Sequence, residues 1–173
     1  MLNFDFDIFV DDLTRIGAAA ILGGVIGMER ELNGHFAGLR THMMVAIGCA
    51  VFVVGGLAIS GEQQEAVTRV VQGIAAGVGF LGAGTILKID EKEKIKGLTT
   101  ASSIWLASAL GTLAGLGEYV PAAAATAIAL IVLAVLRPIE RVLAHYSHTG
   151  KHHRNDTPKP DTAKSDTREP GSE

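Results

Sequence analysis

The stretch Gly73-Ile-Ala-Ala-Gly-Val-Gly-Phe-Leu-Gly-Ala-Gly-Thr-Ile86 contains no charged residue and is built largely from glycine and alanine. Its apolarity suits a lipid interior, yet an anchor that only had to be greasy would be rich in leucine. As a helix it presents a nearly flat surface. Gly73/Gly77, Ala75/Gly79 and Gly79/Ala83 are small residues one turn apart, a spacing that lets a second backbone approach closely. Gly73, Gly77, Gly79, Gly82, Ala83 and Gly84, with Trp105 further along the chain, are expected to pack helices together, with this segment as the central helix of a membrane bundle.

Working outward, the chain repeats one arrangement: apolar runs separated by short charged blocks. The 173 residues allow one compact domain and a tail, and their 48% hydrophobic content is ordinary. The segregation is not ordinary, and it marks a polytopic membrane protein of the all-α class. Five spans are read, at residues 8–28, 39–59, 67–87, 98–116 and 120–136, within a membrane domain of residues 1–146. Only residues 16–28 of the first span are free of charge, so Asp11, Asp12 and Arg15 must lie among headgroups. Glu29–His35 and Gly61–Glu65 are polar links, Lys88–Lys96 is a mixed-charge loop, and Arg137-Pro138 stops the last span. Residues 147–173 are Lys, Asp, Thr, Pro and His with almost nothing apolar, so they are expected to be a disordered polar tail. The sequence shows no cationic stretch followed by a small-residue cleavage site before the first apolar run, which speaks against a cleaved signal peptide. Cys49 is alone and forms no internal disulfide, and a net charge of −3 argues against a nucleic-acid partner.

Lysine and arginine set the orientation. Arg30, Arg40, Lys88, Lys92, Lys94, Lys96, Arg137 and Arg141 fall on one side of the five-span arrangement, and Arg15 and Arg69 on the other. The positive-inside rule makes the first side cytoplasmic and leaves the N-terminus outside. A four-span alternative, in which residues 8–28 do not cross, satisfies the same rule. A weak internal repeat favours five. Laying Leu22-Gly23 on Leu81-Gly82 also brings Gly38-Leu39-Arg40-Thr41 onto Gly97-Leu98-Thr99-Thr100, so both halves read as helix, cytoplasmic loop, helix.

The two Gly-Leu-x-Thr openings are the best candidates for a site. A helix N-terminus exposes unpaired N–H groups and partial positive charge, and threonine can cap them. With Arg40 and Thr41 on one end and Lys96, Thr99 and Thr100 at the other, such ends could hold a carboxylate or lipid phosphate, or could simply be capped and touch headgroups. Glu29-Arg30 at a span end reads equally as an ion-paired lock or as part of a site; at a helix centre each charge would cost about 2.5–3.5 kcal/mol. No Asp or Glu lies deep in any span, so the sequence offers no carboxylate cage for Mg²⁺. Hydroxyls at Thr85, Thr99, Thr100, Ser102, Ser103, Ser108 and Thr112 could line a pathway, but they are as well suited to bonding helix to helix. His42 is read as an interhelical hydrogen-bonding residue. His145, His148, His152 and His153 lack the acidic or cysteine framework of a metal site. No nucleophile–base pair, Walker loop or dinucleotide fingerprint appears, so no enzyme is expected.

Gly27-Met-Glu-Arg-Glu31, Ala37-Gly-Leu-Arg-Thr41, Gly79-Phe-Leu-Gly-Ala-Gly84 and Gly97-Leu-Thr-Thr-Ala101 through Trp105 occur in order, and over roughly residues 10–140 the chain resembles the MgtC/SapB family of bacterial inner-membrane proteins. The resemblance implies a cytoplasmic-membrane location and a role in adaptation to low magnesium, linked in some members to virulence. Members are often called magnesium transporters, which would make this chain an oligomeric ion transporter. The better-supported family picture is regulatory, through membrane partners such as the F-type ATP synthase. The motif residues carried over are Glu29, Arg30, Gly38, Arg40, Thr41, Gly79, Gly82, Gly84, Gly97, Thr99, Thr100 and Trp105. Longer members carry a folded cytoplasmic domain where this chain has a short polar tail after Tyr146. The resulting expectation is a non-enzymatic protein in the bilayer, binding a membrane partner, with a homo-oligomer as a further possibility and no bound cofactor.

Overall fold

Short polar signals set where each helix starts and stops. The computed structural model describes residues 5–60, 64–89 and 94–149. Helix α1, Phe6–Leu32, begins on Asp5, whose carboxylate accepts from the Asp7 and Ile8 N–H groups at 3.1 and 3.5 Å. That satisfies donors the first helical turn leaves unpaired. It ends where Gly34 takes φ +71°, letting the His35 N–H reach the Arg30 carbonyl and the Gly34 N–H reach that of Glu31, at 3.1 and 3.0 Å. Glu29, Arg30 and Glu31 therefore lie inside the helix and not in the expected polar link.

Helix α2 is Leu39–Ser60 and α3 is Gln64–Gly84. The lysine-rich loop contains a small antiparallel hairpin, with β1 (Leu87–Ile89) against β2 (Lys94–Lys96) in the register Leu87↔Lys96. Helix α4, Leu98–Gly115, closes as α1 does, with Gly117 at φ +81° and the Glu118 N–H on the Leu113 carbonyl at 2.9 Å. Helix α5 is Tyr119–Thr149. It runs through Arg137-Pro138, where the sequence pattern placed a stop. Pro138 removes one N–H from the helix ladder, and the chain divides nearby into two units, Met1–Ala134 and Val135–Glu173. Ser147–Thr149 are helical, against the expectation of disorder; the rest of the expected tail lies outside the described residues.

Within the first unit, α4 is the buried element and the glycine-rich α3 is not. The α4 residues Thr100, Ser103, Ile104, Ala107, Leu110, Gly111, Ala114 and Gly115 are all buried. Close approaches fall on glycines of α1 and α4. A Cβ on Gly23 would lie 2.7 Å from both the Ala46 Cβ and the His42 carbonyl oxygen, and one on Gly27 would lie 2.8 Å from the Leu39 Cα. One on Gly111 would overlap the Ala46 carbonyl. These contacts clasp α1, α2 and α4 around Ala19, Ala46, Ala50 and Ala114. Helix α3 joins through a second cluster of Ala37, Cys49, Val78 and Ile104. Gly73, Gly77, Gly79 and Gly84 have nothing within 4 Å of a Cβ position, and Gly82 meets Ala101 at 3.7 Å. This corrects the expectation of a central α3. A high density of small residues makes close approach possible, but the approach occurs only where a partner backbone is supplied.

Small residues line the interior, while large apolar ones such as Ile21, Met44, Phe52, Phe80 and Ile131 face outward. A water-soluble domain has the reverse bias. Leu39–Ile59 and Glu65–Gly84 are long and apolar enough to cross a membrane, and Tyr119–Val135 is a shorter apolar segment.

Candidate functional site

The end of the bundle where α1 stops and α2 and α4 start collects the polar residues. Arg30 is 3% exposed, with its Nη1 3.7 Å from the Glu29 carboxylate. Asn33 clamps that carboxylate by donating from Nδ2 to Glu29 Oε1 at 2.5 Å and to the Glu29 carbonyl at 2.8 Å. His42, one turn into α2 and fully buried, has Nδ1 2.8 Å from the Gly38 carbonyl and Nε2 3.0 Å from Ser103 Oγ on α4. Because a carbonyl only accepts, Nδ1 carries a proton, and the imidazole ties the two helix starts together. Ser103 Oγ lies 2.9 Å from the Thr100 carbonyl, closing the seam on α4. The expected interhelical role of His42 is what this geometry displays.

Neither Gly-Leu-x-Thr opening uses its threonine as a cap. At α2 the Leu39 N–H donates to Glu31 Oε2 at 2.8 Å, so a carboxylate of the preceding helix already occupies that partly positive end. At α4 the cap residue is Gly97, at φ +96° and without a side-chain bond. A Cβ there would overlap the Thr85 carbonyl, so close approach and left-handed backbone both demand glycine. Arg40, Thr41, Lys96 and Thr99 are exposed, whereas Thr100 is buried. The candidate residues thus separate into an inner seam (Arg30 and Thr100 buried, Glu29 partly buried) and an exposed set. Arg30 is buried within the described residues, not among the exposed groups.

The hydroxyls face back into their own helices. Ser102 donates to the Leu98 carbonyl at 2.9 Å, Ser108 to Trp105 at 2.6 Å, Thr112 to Ser108 at 2.8 Å and Thr85 to Gly82 at 2.7 Å. Each hydroxyl proton is satisfied within its own helix. Among the described residues no cluster of His, Cys, Asp or Glu could hold a metal ion. Trp105 is half exposed beside Gly79, Gly82 and Ala83, along a groove between α3 and α4. Sequence reasoning missed Glu31 and Asn33 as organisers. It also missed the Gly23/Gly27 and Gly111/Gly115 pairs, which carry the same one-turn spacing as the glycines of α3.

At the opposite end, Arg15 donates from Nη1 to the Gly115 carbonyl at 2.9 Å and from Nε to Asp11 at 2.7 Å. A cation on the last carbonyls of α4 is the favourable sign for a helix C-terminus.

A model of the MgtC family matches residues 16–142. The chain is similar to Protein MgtC of Brucella abortus, 44% identical over 128 residues that cover 74% of this chain and 52% of the relative. Protein MgtC of Salmonella typhimurium is 41% identical over 120 residues, 69% of this chain and 50% of the relative. Protein SrpB of Synechococcus elongatus is 39% identical over 138 residues, 74% of this chain and 76% of the relative. The chain spans about half the length of the MgtC relatives it matches. No solved structure matches it.

Proposed function

The chain belongs to the MgtC family, and from that premise we propose that it is a five-span bacterial inner-membrane protein of magnesium homeostasis that acts by binding another membrane protein. The contact surface is the cytoplasmic end of the bundle, where Arg40, Thr41, Lys96 and Thr99 are exposed. The observation that carries this reading is the seam behind them. Glu31 holds the start of α2 to the end of α1 through the Leu39 N–H, and His42 and Ser103 tie the start of α2 to α4, so the exposed groups stand on a rigid base. Preorganised groups bind a partner with less ordering cost. The positive-inside rule puts this end in the cytoplasm. Satisfied hydroxyls and the absence of deep carboxylates favour this reading over ion transport, and it involves no catalysis. An assembly such as the F-type ATP synthase, implied by the family resemblance, is the kind of partner proposed.

The test uses cells lacking their own family member, grown at low magnesium. Wild-type protein restores growth, and an Arg40→Glu/Lys96→Glu protein that inserts at wild-type level does not. Full restoration by the variant removes the contact surface. The same preparation, reconstituted alone into sealed liposomes with a trapped magnesium dye, admits no Mg²⁺ above empty vesicles; entry would replace the partner-binding reading with transport.

A further inference from the structure

Helix α3 has an outward face unlike that of any other helix. Glu65, Arg69, Gln72, Ala76, Gly79 and Ala83 follow one another at alternating intervals of four and three residues, and all are exposed. That is the spacing of the seam along which two helices wind left-handedly around each other. None of these positions carries a large apolar side chain. By contrast α1 exposes Ile21, Val25 and Met28, α2 exposes Met44, Val51 and Phe52, and α5 exposes Ile128, Ile131 and Val132, as lipid-facing surfaces do. Among the described residues Glu65, Arg69 and Gln72 make no hydrogen bond or ion pair with the rest of the chain. Gln72 sits about two turns into a segment long enough to span the bilayer, and an amide facing hydrocarbon there is costly.

We propose that this seam of α3 pairs with the same seam of a second copy of the chain, about a two-fold axis along the bilayer normal. Copies inserted with the same orientation bring like ends together, so the match must be self-complementary. It is. Two Glu65 and two Arg69 sum to zero charge, and an arginine reaches one turn along the seam to the partner's carboxylate. The paired Gln72 amides can donate and accept across the axis, where a polar residue fixes register. Ala76, Gly79 and Ala83 then allow backbone contact over the rest of the length. The inference rests on α3 crossing the bilayer and is independent of the cytoplasmic contact surface.

The experiment places single cysteines in the full chain, in native membranes, with Cys49→Ala as background. Ala76→Cys and Gly79→Cys lie on the seam, while Gly77→Cys at the same depth and Ile128→Cys on α5 lie off it. Oxidation yields several-fold more cross-linked dimer from the first pair than from the second. Adding Arg69→Glu, which gathers four carboxylates, abolishes that excess, and the reversed pair Glu65→Arg/Arg69→Glu restores it. Equal yields on and off the seam, or none on it, mean that lipid covers the face and overturn the proposal. Cross-linking indifferent to Arg69→Glu overturns the charge pairing that sets the register. The cysteine variants alter no charge, so they decide the matter even if Arg69→Glu fails to insert.

Discussion

Glu29 and Arg40 flank the same turn and have opposite structural standing. The partly buried Glu29 carboxylate lies 3.7 Å from the buried Arg30 guanidinium, while Arg40 is exposed. Truncating Glu29 takes away both its 3.7 Å contact with Arg30 and its bond to Asn33 in a partly buried setting, at a cost of about 1–3 kcal/mol, whereas an exposed arginine away from such features changes stability by about 0.5 kcal/mol or less. Thermal unfolding of detergent-solubilised protein should therefore show Glu29→Ala destabilised and Arg40→Ala close to wild type. The reverse order would remove the distinction between inner seam and exposed surface. The sequence made His42 legible, because a lone histidine at the start of an apolar run has few uses other than bonding across helices. Arg30 was not legible as buried: adjacent Glu-Arg residues at a span end look alike whether they face water or protein. Only the extension of α1 past Met28 turns Arg30 inward.

At the scale of elements, the five helices follow the apolar runs, and their ends follow from Asp5, Gly34, Gly97 and Gly117. What the pattern left open was which helix stands at the centre. Glycine density pointed to α3, but centrality depends on which glycines have a backbone opposite them. Gly111 faces Ala46 closely, whereas Gly17 has nothing within 4 Å. The same substitution should therefore act in opposite directions. Gly111→Ala forces α2 and α4 apart, at a cost of about 1–3 kcal/mol. Gly17→Ala gains helix propensity of up to about 1 kcal/mol. Apparent melting temperatures in one detergent would show the opposed shifts. Equal effects would mean that the α2–α4 approach is looser than the described contacts.

At the scale of the molecule, the weak internal repeat gains support from contacts as well as letters. Laying the first half on the second places Gly23 and His42 on Gly82 and Ala101, and in each half those two residues meet. Gly27 against Gly38 likewise falls on Ile86 against Gly97. Each half is then a helix, a polar connection and a second helix opening on Gly-Leu, and α2 and α4 run parallel, as His42–Ser103 near their starts and Ala50 against Gly115 further along together require. The first half carries the inner polar seam and the second the open small-residue face, so the two halves differ in chemistry where their contacts correspond. This arrangement fixes which ends share a side of the membrane. The Arg15–Gly115 bond holds the N-terminal half of α1 beside the end of α4, so Asp7 and Glu118 must lie together, and Arg40 and Lys96 together at the other end. With Cys49→Ala as background, an impermeant maleimide on intact spheroplasts should label Asp7→Cys and Glu118→Cys. Arg40→Cys and Lys96→Cys should label only after permeabilisation. A four-span chain, with residues 8–28 left on the cytoplasmic side, would instead put Asp7→Cys in the protected class with Lys96→Cys. That result would break the Arg15–Gly115 contact and the five-span arrangement together, because a helix that does not cross cannot cap the far end of one that does.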